Sequence, residues 1–338
     1  MKFKHIILLF LIIFLVGFGF VLGNGNKEKP IEASASHILF ESIPTLIDTK
    51  SFVLNYVNPL KNIDVDAKAA ILINAETEEI LYEKNIDESA PIASMSKLMS
   101  AYLILEAIEE NVISWEDDVP ISDYAYTISH REPFSSIKLE QEENYKVKEL
   151  FDAMMISSAN DATVALAEKI YGTEKAFVEE MNKRANQLGF ANSHFVDTTG
   201  LGNMNLFDFF TIGTIDDVNE MSARELAELA RILIEKFPHL LDITQTISYE
   251  SGGETYHNTN WMLMGNNKES LEEFDLDLGF EGVEGLKTGY TNASGYGFTG
   301  TIVIEDVRYI SVIMDTEAVG DRFIETKKLY EGIINQLY

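Results

Sequence analysis

The chain has 338 residues, 46% of them hydrophobic and 24% charged, which is enough for one large domain or two modest ones and argues against wholesale disorder. A formal net charge of −29, with no basic stripe along the chain, disfavours a nucleic-acid partner. There is no cysteine, so disulfides, thiolate catalysis, cysteine-ligated metals and a lipid-modified cysteine are all excluded.

The chain opens on a short basic segment containing Lys2 and Lys4, followed over 6–23 by residues with no charge or strong polarity. A basic start before an apolar run marks export, and this length lies between a long signal region and a short membrane span. Residues 1–23 therefore read as a signal peptide or an N-terminal membrane anchor. Residues 24–62 read as a polar linker and N-terminal extension, with weak helical patterning over 38–60. Apolar runs at 69–73 and 80–84 around a polar turn predict a β-hairpin.

Pro91 is then expected to introduce a helix carrying Leu98, Tyr102, Leu105 and Ile108 on one side, closed at Asn111. Helices are predicted over 147–171 with a break at 157–161, over 174–188 and over 222–237. The acidic stretch 269–284 reads as a solvated loop. Strands over 285–291, 295–304 and 308–314 precede a closing helix at 322–337. With strands at both ends and helices between, the expected fold is α/β: an antiparallel sheet assembled from distant segments, flanked by helices, with an inserted helical subdomain.

Three short motifs carry chemistry. In Ser94-Met95-Ser96-Lys97, a helix would put the Lys97 amine within reach of the Ser94 hydroxyl, because positions three apart share a face. A serine hydroxyl needs a base to become a nucleophile, and a lysine can act as that base only when neutral. Ser158-Ala159-Asn160 offers a hydroxyl that can pass a proton to a leaving amine and an amide that can hold both a lysine and a substrate amide. Lys287-Thr288-Gly289 lies in a strand whose edge can pair with an extended acyl substrate. Here Lys287 supplies a cation for a carboxylate and, by like-charge repulsion, is expected to lower the Lys97 pKa. Thr288 can hydrogen-bond a carboxylate, and Gly289 permits close backbone approach. Singly, each motif also fits a blander reading: a capping serine with a surface lysine, a capped helix break, an exposed turn. Their order, each in a suitable local context, is the signature of the penicillin-binding proteins and serine β-lactamases.

The chain resembles the low-molecular-weight penicillin-binding proteins of the D-alanyl-D-alanine carboxypeptidase type, over roughly residues 69–337. The similarity includes the opening hairpin, the segment around Ser94, the helix over 155–168, the loop 197–201 and the strand and turn over 283–297. It implies a β-lactamase/DD-peptidase-like fold over 63–338 with no C-terminal β-rich domain. It also implies that Ser94 attacks the bond between two D-alanines of a peptidoglycan stem peptide, with Lys97 as base and Ser158 and Asn160 assisting. Lys287 and Thr288 would hold the terminal carboxylate, with Arg322 nearby. The backbone N–H groups of Ser94 and Tyr290 would form the oxyanion hole. β-Lactams are the expected covalent inhibitors, and no cofactor or metal is implied, since the six histidines lack metal-site spacing. The expected location is extracytoplasmic, secreted or held on the outer membrane face by the N-terminal apolar segment.

The pattern departs from the family at Glu78-Glu79 and Ala159, where glycine is common. A DD-endopeptidase acting on cross-links, a serine β-lactamase and an inactive wall-binding scaffold remain alternatives. The β-lactamase reading lacks a Glu-x-x-Leu-Asn segment, and Glu168 follows Ser158 too closely to serve in its place. His257 is the histidine placed nearest the cleft, with a structural role the simpler reading.

Overall fold

The computed structural model describes residues 59–266 and 278–338. The apolar leader, the linker and the weakly helical stretch up to residue 58 lie outside the described residues. In chain order the elements are β1 (Ala69–Asn74), β2 (Ile80–Lys84), β3 (Ala90–Pro91), a 3₁₀ turn (Ala93–Ser96), α1 (Lys97–Glu109), β4 (Asp118–Val119), α2 (Asp123–Ser129), β5 (Tyr145–Lys146), α3 (Val147–Ile156), α4 (Asn160–Tyr171) and α5 (Glu174–Leu188). They continue with α6 (Asn203–Leu206), β6 (Glu220–Met221), α7 (Ala223–Lys236), α8 (Leu240–Thr244), β7 (Ser248–Ser251), β8 (Glu254–His257), β9 (Val283–Thr291), β10 (Gly295–Ile304), β11 (Val307–Thr316) and α9 (Asp321–Leu337).

Five strands form one antiparallel sheet in the order β2-β1-β11-β10-β9. The first strand therefore pairs with the last, Ala69 facing Met314 and Asn74 facing Tyr309. Side chains alternate across a strand. Ala69, Ile71 and Ile73 face the helical core with Ile310, Val312 and Met314. Ala70 and Leu72 face the opposite layer with Tyr309, Ile313, Phe298 and, from α9, Phe323, Leu329 and Tyr330. Because both faces are covered, β1 reads as a continuous apolar run.

The expected hairpin, sheet and inserted helical subdomain are borne out. Asn74 shapes the β1–β2 turn by accepting from the Glu76 and Thr77 backbone N–H groups at 2.9 and 3.1 Å. Glu78 sits there at φ 60°. That left-handed backbone explains why glycine suits the position, and a glutamate bears roughly 1–2 kcal/mol for it. The predicted helix over 222–237 is α7, started by a capping box between Ser222 and Glu225. Its Leu226, Leu229, Ala230 and Leu233 recur at helical spacing and are buried.

Two expectations are corrected. Pro91 does not start a helix: it pairs with Glu220 in a two-residue ladder, and the α-helix begins at Lys97. Proline is tolerated in so short an edge pairing. The acidic stretch is not a solvated loop up to Glu284, since Leu278 is buried, the Phe280 ring meets Tyr330 edge-on at 5.7 Å, and β9 starts at Val283. Residues 267–277 lie outside the described residues. The sequence reading also omits α2, α8 and the β7–β8 hairpin, each too short to show a hydrophobic period.

β9 is the edge strand that positions the site. It presses against the 3₁₀ turn so closely that a Cβ on Gly289 would lie 2.7 Å from the Ile92 carbonyl oxygen and 3.3 Å from the Met95 nitrogen. Gly289→Ala should therefore cost about 1–3 kcal/mol by overpacking, seen as a lower urea midpoint with an unchanged slope.

Candidate active site

Ser94 sits in the 3₁₀ turn, entered through Ala93 in left-handed backbone at φ 45°. Lys97, three residues on, is wholly buried, and its Nζ lies 3.0 Å from Ser94 Oγ. The same nitrogen donates to Asn160 Oδ1 at 2.7 Å and to the Thr199 backbone carbonyl at 2.8 Å. The orientation of the Asn160 amide follows from its other end, where Nδ2 donates to the Ser135 carbonyl at 3.0 Å.

This arrangement suits a neutral amine. An uncharged lysine has two N–H bonds and one lone pair, and it meets two oxygens that only accept and one hydroxyl that can donate. Burial holds the Lys97 amine down to about 7, against the opposing pull of Asp197 and Asp161. Ser94, whose proton the lone pair would receive, is thereby the candidate nucleophile.

Each partner of Lys97 is anchored in turn. Asp161 is fully buried and accepts from the Ser129 hydroxyl at 2.8 Å and the Ile137 N–H at 2.9 Å. It thereby pins the loop that carries Ser135. Asp197, also buried, accepts from the backbone N–H groups of Thr199, Gly200 and Gly202 at 2.7, 2.6 and 3.0 Å. That curls the loop so that the Thr199 carbonyl faces Lys97. Gly200, at φ +86°, admits no side chain: a Cβ would fall 1.9 Å from the Ala93 carbonyl oxygen.

Ser158 lies between α3 and α4 in left-handed backbone, φ 64°. It lines the same cleft as Ser94, Asn160, Thr288, Gly289, Tyr290 and Arg322, a space of about 550 Å³ walled also by Pro133, Phe134 and Leu201. Lys287 is buried on β9 and donates to the Thr288 carbonyl at 3.1 Å. The Thr288 hydroxyl donates to Thr259 Oγ1 at 2.7 Å.

Arg322, in the first turn of α9, donates from Nη1 to the Gly289 carbonyl at 3.1 Å, while its buried Nε has no partner among the described residues. Its guanidinium carbon lies 5.4 Å from the centre of the Tyr296 ring and 4.8 Å from that of Phe323. Burial pushes it down to about 10. The Tyr290 ring stacks on Tyr296 with centroids 4.1 Å apart and stands half in solvent.

Burial first, then the charges of Lys97 and Arg322, draw Lys287 well below the usual lysine range. At Lys97 burial thus comes before the like-charge repulsion expected from Lys287. Desolvation is the largest cause at both amines, and the repulsion between them is mutual. Within a strongly acidic protein this cleft gathers three buried basic groups, and its chemistry favours an anionic ligand.

The structure thus brings Ser94, Lys97, Ser158, Asn160, Thr288, Gly289, Tyr290 and Arg322 together around one cleft, with Lys287 buried beside it. His257 is exposed and outside the cleft lining; Thr259, two residues on, takes the place expected of it. Sequence reasoning noted the loop 197–201 only as a similarity and did not find Thr259, Ser135 or Phe134. Single residues on irregular loops carry no period or spacing that would single them out. Glu168 is committed elsewhere, accepting from the Ser122 hydroxyl at 2.6 Å. Among the described residues no cluster of histidines and carboxylates is arranged to hold a metal ion.

The comparisons with known proteins agree with this geometry. A family model described as D-alanyl-D-alanine carboxypeptidase matches residues 56–318. The D-alanyl-D-alanine carboxypeptidase DacF of Bacillus subtilis is 32% identical over 271 residues, 80% of this chain and 63% of that protein. The chain thus spans less than two thirds of the length of that relative. Among solved structures, a peptidoglycan synthesis regulatory factor (PBP3) from Streptococcus pneumoniae superposes with a TM-score of 0.75 at 38% identity, over 81% of this chain and 72% of that one. Penicillin-binding protein D2 from Listeria monocytogenes, in its cefotaxime-bound form, gives 0.67 at 30% identity, over 81% and 99%.

A lysine that is neutral only above about 7 sets an acid limb on the reactivity of Ser94. Protonated Lys97 has no lone pair to accept the serine proton. The rate of Ser94 acylation by a β-lactam should fall about tenfold per pH unit below that value and level off above it, as measured by stopped-flow trapping across pH 5–9.

Proposed function

The chain belongs to the D-alanyl-D-alanine carboxypeptidase family, and from that premise we propose that it removes the terminal D-alanine of peptidoglycan stem peptides through an acyl-enzyme on Ser94. The observation that carries this reading is the Lys97 amine, buried and held between Asn160 Oδ1 and the Thr199 carbonyl with Ser94 Oγ 3.0 Å away.

Ser94 Oγ attacks the carbonyl carbon of the scissile bond while Lys97 Nζ takes its proton. The backbone N–H groups of Ser94 and Tyr290 stabilise the oxyanion, an interaction typically worth about 2.7–4 kcal/mol of barrier. Ser158 gives its proton to the departing amine of the terminal D-alanine and takes the one held by Lys97 in return, which leaves Lys97 neutral again, while Asn160 holds Lys97 and the substrate amide. Lys287, Thr288 and Arg322 receive the terminal carboxylate, whose negative charge favours the protonated form of Lys287. Water then attacks the acyl-enzyme, again with Lys97 as base, releasing the shortened peptide and restoring Ser94. With a penicillin the β-lactam C–N bond opens, but the leaving nitrogen stays tethered to the acyl group, so the adduct persists.

We assign residues 63–338 to the catalytic domain, acting on peptidoglycan outside the cytoplasm. The leader 1–23 provides export or an anchor to the outer membrane face. Among the described residues no helix is long and apolar enough to cross a membrane.

Intact-protein mass spectrometry with and without benzylpenicillin tests the reading. The expected result is a mass gain of one whole penicillin on Ser94, absent in Ser94→Ala, together with release of D-alanine from a pentapeptide. An adduct that persists in Ser94→Ala would put the nucleophile elsewhere. Rapid penicillin turnover without an adduct would make the protein a β-lactamase. Cleavage of cross-linked dimers in preference to pentapeptides would make it an endopeptidase.

A further inference from the structure

Thr259 belongs to none of the three motifs, yet it joins two of them. Its hydroxyl oxygen accepts the Thr288 hydroxyl at 2.7 Å, and its backbone N–H donates to the Ile156 carbonyl at 3.1 Å, at the end of α3 just before Ser158. Thr259 itself is half-buried on the cleft wall.

The turn that carries it is built to hold it still. The buried Asn258 donates from Nδ2 to the carbonyls of Thr244 and Thr246 at 3.0 and 2.9 Å and accepts from the Asn260 N–H at 2.8 Å. Asn266 Nδ2 donates to the carbonyls of both Asn258 and Asn260, at 2.9 and 2.7 Å. Thr244 Oγ1 in turn donates to the Glu284 carbonyl at 2.7 Å. The segment from Thr244 to Thr259 is therefore fastened to β9 at two points, Glu284 and Thr288, and the second point is a hydroxyl pair.

We propose that Thr259 is a positioning residue for carboxylate recognition: its hydroxyl exchanges donor and acceptor roles with Thr288, so that Thr288 can turn its only proton toward the ligand carboxylate. The inference rests on the functional reading above. A threonine hydroxyl has one proton and two lone pairs. When Thr288 donates to a carboxylate, its oxygen is free to accept, and Thr259, 2.7 Å away, becomes the donor. Each bond in such a chain polarises the next, so the Thr288–carboxylate bond strengthens. A side chain at 259 without a hydroxyl leaves Thr288 without that donor.

The test compares benzylpenicillin with its methyl ester, which lacks the carboxylate charge, on the full chain. Thr259→Val is expected to slow acylation by benzylpenicillin about tenfold, the loss of one net hydrogen bond, and to leave acylation by the ester within about twofold of wild type. Thr259→Ser should restore the rate. The double variant Thr259→Val/Thr288→Val should be no slower than Thr288→Val alone, because the two hydroxyls act as a unit. Thr259→Ala, which removes the same hydroxyl without adding bulk, serves if valine disturbs the turn. Equal losses on the acid and the ester, or additive effects in the double variant, would overturn the proposal in favour of a purely structural role. A wild type that labels normally beside an unchanged Thr259→Val overturns this inference alone, whereas a wild type that forms no adduct overturns the functional reading itself.

Discussion

The site depends on keeping one lysine amine out of water. A downward displacement of Lys97 from 10.5 to about 7 shifts its balance toward the neutral form by on the order of 5 kcal/mol relative to a lysine in water. That shift has to be supplied by packing, because Asp197 and Asp161 both pull the other way. The surroundings of Lys97 are accordingly buried: Ser96, Asn160, Asp161, Thr198 and Thr199 expose 3% or less of their surface. The lysine is not left unsatisfied, since its polar neighbours number three and match what a neutral amine can offer. Two buried carboxylates stand behind those neighbours, curling one loop through Asp197 and pinning another through Asp161. Their role is to shape backbone that no regular element could shape.

The sheet supplies the second requirement, a straight edge held against Ser94. With both faces buried, β10 and β11 fix β9, and glycine at 289 lets that edge approach the 3₁₀ turn at backbone distance. Gly200 does the same from the other side. The turn that carries Ser94 is thus gripped between two glycines. Its left-handed Ala93 persists because its surroundings over-determine it.

Charge is distributed against the average. The whole chain carries −29, yet Lys97, Lys287 and Arg322 share one cleft, and among the described residues none of the three forms an ion pair. Repulsion among them is visible at Lys287, displaced by both of the others. An anionic ligand relieves that repulsion, so the cleft gains more from a carboxylate than a single exposed cation would.

The sequence by itself determined the candidate motifs and the outline. Ser94 and Lys97 are three apart on one chain, the apolar runs at 69–73 and 295–314 alternate or continue as strands must, and apolar residues at helical spacing mark the helix over 222–237. All of these are local, so spacing alone reveals them. Only the tertiary structure decided which groups surround Lys97, that burial is the main cause of its lowered pKa, and that Thr259, Ser135 and Thr199 join the site. It also decided that Pro91 pairs as a strand and that 278–284 packs inward. Those facts depend on contacts between segments tens to hundreds of residues apart, and desolvation is a property of everything that packs around a group, which no window of sequence contains.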